Sequence, residues 1–183
     1  MMKPVRWVTV RRGIVRLGLL LGLAWVPMPM RAAKPAAPVT AVASRGLRLS
    51  TPQGSAEVPY LVSLDWSKPQ AQVTRAVVIF HGKGRDVEGY YRTALAAAEL
   101  AGSPTSQDTV FIAPQFLDEE DIGAHHLAAD VLRWRGTDWE SGAPAIAPIS
   151  MGSFEIVDAL LARLADHSLF PNQIGRASCR ERV

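Results

Sequence analysis

Two apolar runs, Ala76-Val77-Val78-Ile79-Phe80 and Thr109-Val110-Phe111-Ile112-Ala113, lack the polar alternation of a half-exposed strand. Short runs with no polar face predict strands buried on both sides. Between them, residues 88–101 place Tyr91, Leu95 and Ala98 at helical spacing, with Gly102 as the expected C-cap. A strand, a helix and a strand of these lengths predict a right-handed parallel crossover. Upstream, residues 46–50 and 58–64 predict two strands around the turn signal Thr51-Pro52-Gln53-Gly54. Downstream, Val157, Leu160, Leu161 and Leu164 predict a helix over 154–165 capped by Ser153, with Glu155 and Asp158 suiting its N-terminal end and Arg163 the other. Pro171 ends that pattern. Alternating strands and helices predict an α/β layered fold.

Residues 118–148 show no clear period, and they contain Trp134, Trp139, Gly136 and Gly142. Two readings stand: a functional rim or lid, or a partly helical surface excursion whose tryptophans fill a shallow core.

The two ends read differently from this body. A basic stretch, the apolar run Leu17–Val26 and a segment rich in Pro and small residues follow one another, which is the layout of a secretory signal peptide. The run has ten residues, and crossing a bilayer core takes about twenty, so no stable membrane anchor is expected. Arg11 and Arg12 ahead of it resemble a twin-arginine signal, and the general secretory route stays open beside it. Cleavage is expected after Ala43, which closes the motif Ala41-Val42-Ala43, or after Ala33. The expected product is periplasmic or extracellular, with the export machinery as its partner.

The last ten residues, Ile174–Val183, resemble a common sequencing adapter translated in frame: ATC GGA AGA GCG TCG TGT AGG GAA AGA GTG encodes them. They are expected to be a non-native tail. The expected organisation is therefore signal peptide and linker over 1–43, a partial domain over 44–172, and the tail over 174–183.

Net charge changes meaning once it is mapped. The chain is +3 overall, yet seven basic residues fall within 1–34 and three within 174–183. The rest carries ten basic and sixteen acidic residues, a balance of about −6 that gives nucleic acid no basic patch. The lone Cys179 sits in the tail, so the body has no thiol.

Candidate chemistry begins at His81-Gly82-Lys83-Gly84-Arg85-Asp86, directly after the apolar run ending at Phe80. The phosphate-loop patterns G-x-x-x-x-G-K-S/T and G-x-G-x-x-G are absent. A buried strand running into His-Gly-x-Gly, then a loop and a helix, resembles the third strand and oxyanion loop of the α/β-hydrolase superfamily, over roughly residues 46–172. The resemblance implies the N-terminal half of that fold, a mostly parallel sheet with helices on both faces, cut short before the nucleophile strand. An apolar open edge at Ala76–Phe80 would follow, and with it insolubility or self-association of residues 44–172 expressed alone.

The resemblance also implies roles. Acyl transfer needs backbone N–H groups aimed at the developing oxyanion, each contributing about 3–4 kcal/mol of barrier lowering. The N–H of Lys83 is the implied donor, Gly82 and Gly84 shape the loop, and His81 supports it by hydrogen bonding without transferring protons. The implied parent is an exported serine hydrolase of carboxylic esters or related acyl compounds, needing no cofactor or metal. The nucleophile, acid and histidine of the triad are expected outside this chain, which is then inactive alone.

G-x-S-x-G itself does not occur. Pro148-Ile149-Ser150-Met151-Gly152 comes nearest, and Pro148 cannot supply the tight elbow. Ser150 and Ser153 are read as helix-start residues, with Ser150 as nucleophile the alternative. His125 and His126 are adjacent and so point apart, which makes them poor co-ligands. His167 is read as a helix-end cap, and the acidic run Asp118–Asp121 as a solvated loop. The competing functional class is a non-catalytic exported α/β module that binds polysaccharide or peptide through its tryptophan-rich loop.

Overall fold

The computed structural model describes residues 37–102 and 108–172, and the backbone of 175–180. The signal peptide and twin-arginine readings lie outside the described residues.

The turn at Thr51–Gly54 folds strands β1 (Arg45–Thr51) and β2 (Gly54–Val62) into a hairpin, with Thr51 opposite Gly54. Gly54 has φ 140°, which only glycine adopts without strain. The two apolar runs become β3 (Arg75–Phe80) and β4 (Thr109–Pro114), joined by helix α1 (Val87–Ala101). Asp86 caps α1 by accepting the Gly89 N–H at 2.9 Å, and the Gly102 N–H closes its far end on the Glu99 carbonyl. After β4 come the two-residue strand β5 (Leu117–Asp118), helix α2 (Glu119–Ala124), the two-residue strand β6 (Arg133–Trp134), a 3-10 turn (Asp138–Ser141) and helix α3 (Ser153–Leu164). A last strand, β7 (Gly175–Arg180), follows.

The main sheet has the order β1-β2-β4-β3-β7. Pairing is antiparallel for β1–β2 and β2–β4, and parallel for β4–β3 and β3–β7. This mixed sheet overturns the expected mostly parallel half-sheet of the α/β-hydrolase type, as does the presence of only three α-helices among the described residues. The short turn at Thr51–Gly54 makes β1 and β2 antiparallel, because a two-residue link can join only antiparallel strands, and the second antiparallel pair arises where β2 lies against β4.

The open edge at Ala76–Phe80 is expected of residues 44–172 alone, and in the 183-residue chain that edge is covered. β3 is an inner strand, with β4 on one side and β7 on the other. Residues 175–180, read as a tail, supply that cover because ladder hydrogen bonds come from backbone and any extended segment can make them.

Alternation along β3 and β4 sorts their side chains into two clusters. Ala76, Val78, Val110 and Ile112 pack with Ile156, Leu160 and Leu164 of α3, whereas Val77, Ile79, Phe111 and Ala113 pack with Tyr91, Leu95 and Ala98 of α1. The first cluster also buries Trp134 and Trp139, so the tryptophans of 118–148 fill core and form no exposed rim.

The start of α3 differs from expectation too. Gly152, not Ser153, is its N-cap, and the Gly152 N–H donates to Glu155 Oε2 at 2.6 Å. Ser153 instead donates its hydroxyl to the Trp139 carbonyl at 2.5 Å, a buried tertiary bond. A glycine stands at 152 because a Cβ there would lie 2.7 Å from the Gly142 carbonyl oxygen.

Candidate functional site: a braced turn beside an apolar pocket

The turn after β3 is held from several directions. His81 is buried; its Nδ1–H donates to the Gly82 carbonyl and its Nε2 accepts the Phe116 N–H, both at 2.9 Å. Those two bonds fix a neutral tautomer, and burial pushes the imidazole down to about 4. The Arg85 N–H closes the turn on the Gly82 carbonyl at 2.9 Å, and Arg85 takes φ 56°, an uncommon value for a side chain of its size. Lys83 and Gly84 stand exposed at the tip. Among the described residues, the Lys83 N–H donates to nothing.

What keeps Arg85 in that conformation is a buried ion cluster. Its guanidinium grips Asp121 with two bonds, Nε to Oδ2 at 2.7 Å and Nη2 to Oδ1 at 3.1 Å, and its Nη2 lies 3.1 Å from Asp118 Oδ2. All three side chains are buried. Burial raises Asp118 to about 6. Burial also works against charge on Asp121, but the Arg85 bonds and the N–H groups of Asp118 and Val39 outweigh it and hold that carboxyl below its ordinary value. Arg85 is raised in turn, because its bonds to Asp121 overcome the cost of burial.

The acidic run is therefore not a solvated loop. Only Glu119 and Glu120 are exposed; Asp118 and Asp121 face inward and form a reciprocal cap of α2, with Asp118 Oδ1 accepting the Asp121 N–H and Asp121 Oδ2 accepting the Asp118 N–H. The Asp-x-x-Asp spacing is a capping-box signal that sequence reading passed over. Nothing in the sequence pointed to Arg85 as the partner 36 residues away.

Phe80, the last residue of β3, lines a cavity of about 210 Å³ with Phe116, Trp139, Ser153, Phe154 and Val157. The pocket shares a wall with the turn: the His81 ring meets Trp139 edge-on at 4.7 Å, and Phe116 stacks on Trp139 at 5.1 Å. Phe154 is half exposed and stands at its rim. The site thus lies at the carboxyl end of a parallel strand, where open sheets commonly receive ligands.

The remaining candidates are not gathered here. Ser150 is exposed ahead of α3, and the Ser153 hydroxyl is committed to Trp139. His125 Nε2–H donates to the Val39 carbonyl at 2.7 Å, while His126 and His167 are exposed. His167 lies beyond the Ala165 C-cap, so it does not hold the helix end as expected. Among the described residues, no group of three or more acidic, His or Cys side chains is placed to hold a metal ion. Comparison with protein families, with curated proteins and with solved structures gives no match for this chain.

Proposed function

We propose that this chain carries the oxyanion turn and acyl pocket of an exported serine hydrolase acting on carboxylic esters, with the nucleophile supplied from outside the described residues. The observation that carries the reading is the braced His81–Asp86 turn, where the Lys83 N–H meets no acceptor among the described residues and which directly follows Phe80, a lining residue of the apolar cavity. A donor held rigid before reaction needs no reorganisation as charge develops on the acyl oxygen. His81 serves that role as a brace, since both its nitrogens are occupied and it stays neutral. The apolar lining suits the hydrocarbon part of an ester. The competing reading, polysaccharide or peptide binding through the loop 118–148, needs exposed tryptophan faces there, and Trp134 and Trp139 are both buried.

The test compares p-nitrophenyl butyrate hydrolysis by the 183-residue chain and by a chain carrying the gene's own sequence beyond Asn172. We expect hydrolysis and labelling of one serine by a fluorophosphonate in the longer chain alone. A longer chain that neither hydrolyses the ester nor takes the label overturns the reading.

A further inference from the structure

Residues 37–43 run ahead of β1 without a strand partner among the described residues, yet their backbone is bonded as though a strand lay beside them. Side chains take the neighbour's place. Arg85 Nη2 donates to the Ala37 carbonyl at 2.9 Å, Asp121 Oδ1 accepts the Val39 N–H at 2.8 Å, and His125 Nε2–H donates to the Val39 carbonyl at 2.7 Å. Gln115 brackets the last stretch: its Nε2 donates to the Ala41 carbonyl at 3.1 Å and its Oε1 accepts the Ala43 N–H at 2.8 Å. Val39 is buried with Leu117 and Val131, and Ala43 with Ile79 and Phe111.

Three of these four holders also hold the turn. Arg85 belongs to it, Asp121 grips Arg85 through both carboxylate oxygens, and Gln115 Nε2 donates to the Arg85 carbonyl at 2.9 Å. Buried donors and acceptors here have no surplus: remove the segment and Arg85 Nη2, Asp121 Oδ1 and both ends of Gln115 each lose a partner in a place water reaches poorly. Strap and turn therefore share one polar network, and loss of one loosens the other.

We propose that residues 37–43 are a permanent strap that locks the His81–Asp86 turn in the mature protein, and that export processing cuts upstream of Ala37 rather than after Ala43. The Ala41-Val42-Ala43 motif that invites cleavage is covered in the fold, since Gln115 occupies the backbone groups of both alanines. A cut after Ala43 would discard all five strap bonds. The processing half of this proposal rests on the export reading above; the strap half does not.

Amide hydrogen exchange tests the strap in the full chain with His125→Ala and, separately, Val39→Pro. His125 touches the strap and not the turn, and Val39→Pro removes the N–H that reaches Asp121 together with the Val39 side chain packed on Leu117 and Val131, all within the strap's own contacts. We expect the amides of Arg85 and Phe116 to exchange about tenfold faster in both variants, with Val78 and Ile112 in the sheet unchanged. Unchanged exchange at Arg85 and Phe116 in both variants overturns the strap. Intact mass of the exported product tests the cut: a first residue at or before Ala37 agrees with it, and a first residue at Ser44 overturns it. A chain that stays in the cell with Met1 in place counts against the export reading alone, and the exchange rates still decide the strap.

Discussion

The N–H of Phe116 donates to Nε2 of His81 at 2.9 Å, tying the residue that follows β3 to the second residue after β4. One imidazole thereby couples the carboxyl ends of two neighbouring parallel strands. Because the bond needs an unprotonated Nε2, it also makes the site sensitive to acid.

His81 is held neutral by burial, with a folded value of about 4 against 6.5 in the open chain. Between those values the unfolded chain binds the extra proton and the folded one does not, so stability falls as pH drops from about 6.5 to about 4, by up to roughly 3 kcal/mol. Asp118 acts in the opposite sense: raised to about 6, it takes a proton in the folded state first and returns stability as pH falls through 6 toward 3.8. Urea melts across this range should show a shallow net dependence in the parent chain. Asp118→Asn should steepen the loss on acidification, and His81→Gln should reverse its sign.

Arg85→Met would strand two carboxylates in the interior. Breaking a buried ion cluster by removing its cation costs about 3–5 kcal/mol. The loss should be greatest near pH 7 and smaller near pH 5, where Asp118 is protonated. Denaturant midpoints at the two pH values measure it, and equal losses at both would count against a charge-based cause.

The Gly142–Gly152 contact gives a ranking. A Cβ at Gly152 meets the backbone oxygen of Gly142 at 2.7 Å, so the start of α3 must shift. A Cβ at Gly142 meets the half-exposed Phe154 ring, which can swing aside, but φ 79° adds strain there. We expect Gly152→Ala to cost about 2–3 kcal/mol and Gly142→Ala about 1 kcal/mol. Thermal melts of the two variants would reveal a reversed order.

Deleting residues 173–183 should bare β3. Its backbone groups pair with residues 175–180 from Arg75 to Phe80, and an uncovered apolar strand pairs with other chains. Light scattering should show concentration-dependent self-association of the shortened chain and not of the parent.

The apolar runs 76–80 and 109–113 and the helical spacing of 88–101 were enough to place β3, β4 and α1, and the parallel crossover they form, because burial on both faces leaves no polar positions and a 3.6-residue period leaves a stripe. The His-Gly-x-Gly turn was legible for the same local reason: glycines announce a turn wherever they stand. The direction of β2 against β4 was not legible, since hydrophobic pattern carries no sign and that pairing depends on which strands meet. Nor was the inward turn of Asp118 and Asp121. A carboxylate reads as solvated until a cation from far along the chain is brought to it, and only the packing of the turn after β3 against the start of α2 sets Arg85 there. Sequence determined β1 to β4, α1, α3 and the turn after β3; long-range charge pairing and backbone satisfaction decided what 118–148 became and which turn became a site.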